Sequence, residues 1–279
     1  MNVHRRISIA GAGVDILLSG SDDRCIPSFV DELRRMPSRE GADEPPVMQL
    51  QLQVSDEWQG PQEASVTCRA LPDGSCCVGL ERMDFSGELK SDEGLYRGSF
   101  VLDGRDPAVL AICLRACFSV VCEDRGELLL HASGVFRRGR LWLFCGPSGA
   151  GKSTIAESLT GGGEPWSFDR VVLSAVEGRI LARSTLFSAP PQMPPGDGML
   201  PVAGIFFIEQ ATAPALQPLT AGETLRRVFA ETLLLTRLPE NMRRVLDTAG
   251  ALCDARLCHV LRFSRDASFW NLIDAMEDR

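Results

Sequence analysis

The run Gly146-Pro147-Ser148-Gly149-Ala150-Gly151-Lys152-Ser153-Thr154 constrains this chain of 279 residues more than any other stretch. It satisfies the pattern G-x-x-x-x-G-K-[ST] at every fixed position. Leu141-Trp142-Leu143-Phe144-Cys145 before it reads as a buried strand, and Thr154 to Leu159 after it as the start of a helix. A strand that breaks into a glycine loop and then a helix presents a row of backbone N–H groups. The positive end of the helix dipole adds to them, and together they hold a polyphosphate. On this reading Gly146 to Thr154 is the nucleotide-binding segment, Lys152 reaches the β/γ-phosphates and the Ser153 hydroxyl sits on Mg²⁺. An ordinary glycine-rich turn leaves Lys-Ser after the last glycine unexplained. The use made of the phosphate is not written in the loop.

The rest of the composition narrows the partners. A formal net charge of −8 supplies no basic field to draw in a phosphate backbone, so nucleic acid is not expected as a partner. No apolar run reaches the ~18 residues of a membrane span. The start, His4-Arg5-Arg6 followed by Ile7 to Leu18, imitates a signal peptide, but Asp15 interrupts the apolar stretch and no cleavage site follows, so it reads as a strand or hairpin. The ten cysteines show no C-x-x-C pair and no regular framework spacing. They read as reduced, buried thiols of a cytoplasmic protein rather than as a metal cluster.

The chain divides into two parts, residues 1–125 and 126–279. The first is β-rich: Ile7–Leu18, Met48–Val54, Ala64–Ala70, Cys76–Leu80 and Tyr96–Leu102 alternate or favour strands, with turn signals between them. A helix is expected over Ser28–Met36 and another over Pro107–Glu123, where Val109, Ile112, Cys113, Ala116 and Val120 form a stripe. In the second part, strand Leu128–Phe136 turns through Arg137-Arg138-Gly139-Arg140, read as a solvated basic tip, into the strand before the loop. Strands Val171–Ala175 and Arg179–Ala182 follow, then Ser184–Pro201, a proline-rich stretch with the character of a lid. Val202–Ile208 is an apolar strand ending at Glu209, where a metal-binding acid would stand. Thr220-Ala221-Gly222-Glu223 matches a capping box and opens a helix to about Leu238. A further helix from Pro239, a strand Leu257–Phe263 and a short terminal helix complete the chain.

The neighbours of the loop decide among phosphate-loop proteins. His131 lies 21 residues before Lys152, at the end of the strand expected to pair with the loop strand, and Asp169 lies 17 residues after it, just ahead of the next strand. If that strand is adjacent in the sheet, Asp169 emerges beside the phosphates. There a carboxylate holds Mg²⁺ or takes a proton from an attacking hydroxyl. With Leu130-His131-Ala132-Ser133, the glycine loop and Ser167-Phe168-Asp169-Arg170-Val171, the chain resembles the HPr kinase/phosphorylase family and its short relatives. The strong resemblance covers about 40 residues, from Leu130 to Val171. It implies an α/β (α+β) fold, a β-rich P-loop domain of the HPr kinase/PEP carboxykinase type, here preceded by a β-rich N-terminal part. It also implies ATP and Mg²⁺ as cofactors, a serine or threonine hydroxyl of a protein or peptide as acceptor, and a homo-oligomer, since the family forms hexamers. Carried over residue by residue, Asp169 is the catalytic base and a metal ligand with Ser153, Lys152 acts on phosphate, and His131 supports the acid–base network.

Three departures stand against that pattern. Arg170 occupies the place of the family's second Asp, where its charge would depress the pKa of Asp169. The family's Glu-containing signature is not recognisable in Arg183 to Pro201, and its N-terminal domain is not evident. A degenerate ATP-binding module that serves peptide binding or assembly without transfer is therefore the alternative, and a kinase for a small metabolite is a third. A transport ATPase is disfavoured because Leu159-Thr160-Gly161-Gly162-Gly163 follows the loop helix immediately, where a signature segment cannot meet a partner's nucleotide. Guanylate-kinase-like enzymes place the loop near the start of the chain, and here 145 residues precede it.

Overall fold

The computed structural model describes residues 2–20, 25–36, 45–72, 75–147, 149–157, 163–185, 187, 199–264 and 268–277; at 153, 156, 157 and 277 it describes the backbone alone. The chain forms two compact units, residues 1–121 with 234–238, and residues 122–233 with 239–279. Both are mixed α/β and rich in strand. Most of the Ser184–Pro201 stretch lies outside the described residues, as does most of the polar segment Pro37–Pro46.

Alternation of apolar and polar residues builds the first unit. Its strands are β1 (Asn2–Ile9), β2 (Ala12–Gly20), β3 (Met48–Ser55), β4 (Ser65–Ala70), β5 (Cys76–Arg82), β6 (Phe85–Asp92) and β7 (Leu95–Asp103), and its helices are α1 (Ile26–Arg35) and α2 (Val109–Asp124), the last running past the end of the unit. The sheet order is β1-β2-β3-β7-β6-β5-β4. In the interior strand β3, Met48, Leu50, Leu52 and Val54 are buried while Gln49, Gln51 and Gln53 face the other way. β3 runs parallel to β2 and β7, and the remaining pairs are antiparallel. Strand β6 had no expectation in the sequence, because Ser86, Gly87 and Glu88 dilute its apolar signal. α2 buries Leu110, Leu114 and Phe118 as well as the expected Val109, Cys113 and Val120, so it is enclosed more widely than a single stripe requires.

The second unit contains β8 (Leu128–Arg137), β9 (Arg140–Cys145), α3 (Lys152–Glu157), β10 (Gly163–Ser167), β11 (Arg170–Val176), β12 (Arg179–Ser184), β13 (Leu200–Gln210), β14 (Ala215–Pro218), α4 (Ala221–Glu231), α5 (Pro239–Asp254), β15 (Cys258–Phe263) and α6 (Phe269–Glu277). β8 serves three neighbours. Leu128 to His131 pairs with β11, Ala132 to Arg137 pairs with β9, and Gly134 to Arg137 also pairs with β10. β9 is antiparallel to β8 on one edge and parallel to β13 on the other, and β13 continues parallel to β15. Residues buried on both sides of such a strand read as one apolar run, and Leu141 to Cys145 are all buried. Trp142 stacks on Phe206 at 5.7 Å, Phe144 meets the edge of Trp270, and Ile155 and Phe263 complete this core.

Two expectations need correction. The capping box at Thr220 and Glu223 is present, but α4 ends at Glu231 and not near Leu238. Thr232 turns extended and bridges to Leu130, and the Leu233 amide donates to the Leu129 carbonyl, so free strand-edge groups of β8 outbid the next helical turn. The basic tip at 137–140 is not simply solvated. Arg137 is 4% exposed, bonded to Asp274 of α6 and lying over the Trp270 ring, while Arg138 reaches the same carboxylate at 3.3 Å.

The Arg137 guanidinium holds the Asp274 carboxyl below the usual carboxylate range, with Arg138 assisting. A depressed carboxylate contributes stability that is complete above its unfolded pKa and disappears as pH falls through the folded value. Asp274→Ala, which leaves Arg137 buried without its counter-charge, is expected to destabilise the protein by about 3 kcal/mol in urea unfolding at neutral pH. The difference from the native chain should shrink below about pH 4.

Candidate functional site

The site is assembled at the C-terminal end of β9. Because β8 and β13 occupy both its edges, the chain leaves β9 at Cys145 with no ladder to follow and enters the loop. Gly146 lies against Ile208 of β13, where a Cβ would come within 3.1 Å of that side chain. Gly149 has φ +79° and open space around it, whereas Gly151 has φ +107° and a Cβ there would meet the Phe263 ring at 2.7 Å. Only glycine serves both needs at 151, the left-handed backbone and the close approach.

Lys152 opens α3 and is 8% exposed. Its Nζ donates to the Gly146 carbonyl at 2.6 Å and to the Pro147 carbonyl at 3.1 Å, so the loop is folded around the ammonium. The Ala150 amide closes the turn onto the Pro147 carbonyl. Burial pulls the Lys152 pKa down, while the carboxylates of Glu231 and Asp169 work against that pull. Beside the loop is a cavity of about 550 Å³ bordered by Gly149, Gly151, Thr154, Gln210 and Phe263. Ser148 lies outside the described residues, and so does the side chain of Ser153, the expected metal ligand.

The two residues expected to do acid–base work, His131 and Asp169, lie close together. His131 stands opposite Arg170 across the β8–β11 pair. The Ala132 amide donates to the Asp169 carbonyl and the Ser133 hydroxyl to the Phe168 carbonyl, which staples the β10–β11 connection to β8. The His131 Nε2 is 3.8 Å from Asp169 Oδ1, within reach of an ion pair if the ring is protonated and too long for a hydrogen bond. Its Nδ1 is 3.4 Å from Glu231 Oε2. Arg170 points the same way. Its Nε is 4.0 Å from Asp169 Oδ1, and a terminal N–H donates to the Glu231 carbonyl at 3.5 Å.

Glu231 is the residue that sequence reasoning missed. Its signal is an acid at the C-terminal end of a helix, where the dipole disfavours negative charge, but that signal exists only once the helix is known to stop there. Burial pushes its carboxyl pKa up, with Lys152 and Arg170 opposing. Glu209, the strand-end acid, is instead committed to arginines: Arg227 donates to it at 2.8 Å and Arg262 lies 3.5 Å away, and the Arg227 bond holds its carboxyl below the usual range. Arg227 and Glu231 are one helical turn apart on α4. Since β9 lies between β8 and β13, this face of α4 reaches from one flank of the loop to the other. Arg183 is bonded to Glu127 rather than turned to the loop. All ten cysteines are free thiols, six of them buried, and burial pushes the Cys258 thiol up to about 12. Among the described residues no three His, Cys, Asp or Glu side chains are grouped to hold a metal ion by themselves.

A carboxyl whose folded pKa is raised favours the protonated chain, so the native state loses stability as pH rises from the ordinary Glu value through the folded one. Glu231→Gln removes that cost. The variant is expected to be more resistant to thermal unfolding than the native chain at pH 8 and to match it near pH 4, as scanning calorimetry at the two pH values would show. No known family model matches the chain, and no curated protein is significantly similar to it.

Proposed function

We propose that this protein is a Mg-ATP-dependent kinase of the HPr kinase type, built on a P-loop domain of the HPr kinase/PEP carboxykinase kind, that phosphorylates a serine or threonine hydroxyl of a protein or peptide. The observation that carries the reading is the buried Lys152 at the centre of a glycine loop, flanked by His131 and Asp169 at the spacing this chemistry needs. The residues fit the nucleotide. The loop offers a concave backbone in which Gly149 leaves open space, and among the described residues Lys152 bonds neutral carbonyls, which an anionic phosphate would replace with a stronger partner. The cavity beside Phe263 and Gln210 is of the size that holds a nucleoside. A phosphate-borne Mg²⁺ needs only one or two protein ligands, and Asp169 and Ser153 are the candidates the sequence supplies.

MgATP, when bound, supplies the γ-phosphoryl group and the compensating metal charge. The chain supplies position and electrostatics, which carry most of the catalysis of phosphoryl transfer. Lys152 neutralises charge on the oxygens nearest the transferring group. Asp169 would orient the acceptor hydroxyl and take its proton as the new P–O bond forms and the bond from the γ-phosphorus to the departing ADP breaks. His131, standing between Asp169 and Glu231, supports the acid–base network around that carboxylate. Arg170 also faces Asp169, and it keeps alive a second reading, an ATP-binding module without transfer, because a guanidinium beside the base competes with the hydroxyl for it.

Labelling from γ-labelled ATP separates the two. Asp169→Asn is expected to reduce transfer to a peptide or protein acceptor by about 10²–10⁴-fold while leaving ATP affinity within about twofold. ATP binding with no labelled product under any acceptor supports the module instead. Lys152→Ala is expected to weaken ATP binding by tenfold or more, measured by isothermal titration calorimetry; unchanged affinity overturns the nucleotide site itself.

A further inference from the structure

The first unit turns one side of its sheet to the protein core and the other to a cavity of about 540 Å³, within the ~300–1,000 Å³ of ligand sites. The residues on that side stand in register across all seven strands. Arg6 faces Asp15, Asp15 faces Gln49, Gln49 faces Arg97, Arg97 faces Lys90, Lys90 faces Cys77 and Cys77 faces Arg69. The adjoining row brings in Gln51, Ser99 and Glu88.

Lys90 and Arg97 are directly opposed on antiparallel neighbours, an arrangement of like charges that weakens a sheet. Their setting only partly relieves it. Arg97 meets Asp92 at 3.4 Å and Arg69 meets Glu88 at 3.3 Å, and all four side chains are more than half exposed, where such pairs contribute little. Asp15 is already bound by Arg6. The lining is therefore weighted to cations, with Arg69, Lys90 and Arg97 against Asp15 and Glu88, on a chain whose net charge is −8. Beside them stand Gln49 and Gln51 of β3, whose amides donate and accept as peptide groups do; Gln49 already bonds Asp15 and keeps further capacity.

We propose that this polar sheet face is a docking site for an extended, acidic peptide segment. Carboxylates of the segment pair with Lys90, Arg97 and Arg69, its backbone groups bond to the Gln49 and Gln51 amides, and Leu17, exposed at the rim, covers an apolar side chain. Among the described residues no tryptophan, tyrosine or phenylalanine lines the cavity, so they offer no stacking platform of the kind a single-stranded nucleic acid uses. That the segment belongs to the phosphate acceptor rests on the kinase reading, whereas the binding itself does not.

The test uses the full chain, without nucleotide, and fluorescence anisotropy of three labelled probes: a peptide of alternating Glu and Ser, its Lys and Ser counterpart, and an oligothymidylate of the same length. The acidic peptide is expected to bind, to weaken with added salt, and to lose at least tenfold in affinity on Lys90→Gln/Arg97→Gln, with the same affinity in Lys152→Ala as in the native chain. A native-like circular dichroism spectrum and melting temperature keep the double variant interpretable, and Gln49→Ala is a second, uncharged probe expected to weaken binding. Equal binding of the acidic and basic peptides, unchanged affinity in the double variant, or tighter binding of the oligonucleotide overturns the proposal. Failure of phosphate transfer with peptide binding intact overturns only the kinase reading.

Discussion

The candidate site depends on β9 being hydrogen-bonded along both edges and buried on both faces. A strand held in that way delivers its last residue, Cys145, to one point in space with little freedom. Every group of the site is then set by reference to it. β8, antiparallel on one side, carries His131 just beyond the last rung of the ladder. β13, parallel on the other, carries Ile208 against Gly146 and Glu209 beyond it. The parallel pairing matters because it places the ends of β9 and β13 at the same edge of the sheet, so their following segments share one opening.

The second determinant is the early end of α4. Had the helix continued, residue 231 would have been an interior position on a solvated helix. Instead the edge of β8 accepts Thr232 and Leu233, and Glu231 is delivered beside His131 while Arg227, one turn earlier, clasps Glu209. A buried carboxylate at the negative end of a helix is locally unfavourable. Its retention next to a buried lysine and a histidine is a local conflict of the kind that marks a candidate functional site. Arg170 belongs to the same conflict, since its charge touches both carboxylates of the group.

Much of this was legible in the sequence. Strict alternation marked β3, a continuous apolar run marked β9, and the capping box marked the start of α4, because each is the direct imprint of burial or of a local hydrogen bond. What was illegible lacked such an imprint. β6 is interrupted by small and charged residues, and its partners β5 and β7 supply its ladder. β14 is four residues long and ends in proline. Arg137 looked like a surface turn residue because Asp274 and Trp270, which bury it, lie at the far end of the chain. Glu209 carried the position of a metal-binding acid and lost that character only because Arg227 and Arg262 reach it.

The sequence by itself determined the loop, the glycines its backbone requires, and the presence of His131 and Asp169 at workable spacing, because these depend on residue type and on short-range conformation. Tertiary structure alone decided that Glu231 joins them, that Glu209 does not, and that a row from seven strands, five of its members charged, forms one face. Those outcomes rest on pairings between segments distant in the chain, where strand edges compete with helical turns and arginines choose among carboxylates. Such competitions are settled by which groups are brought within a few ångströms, and no local pattern of residues records the result.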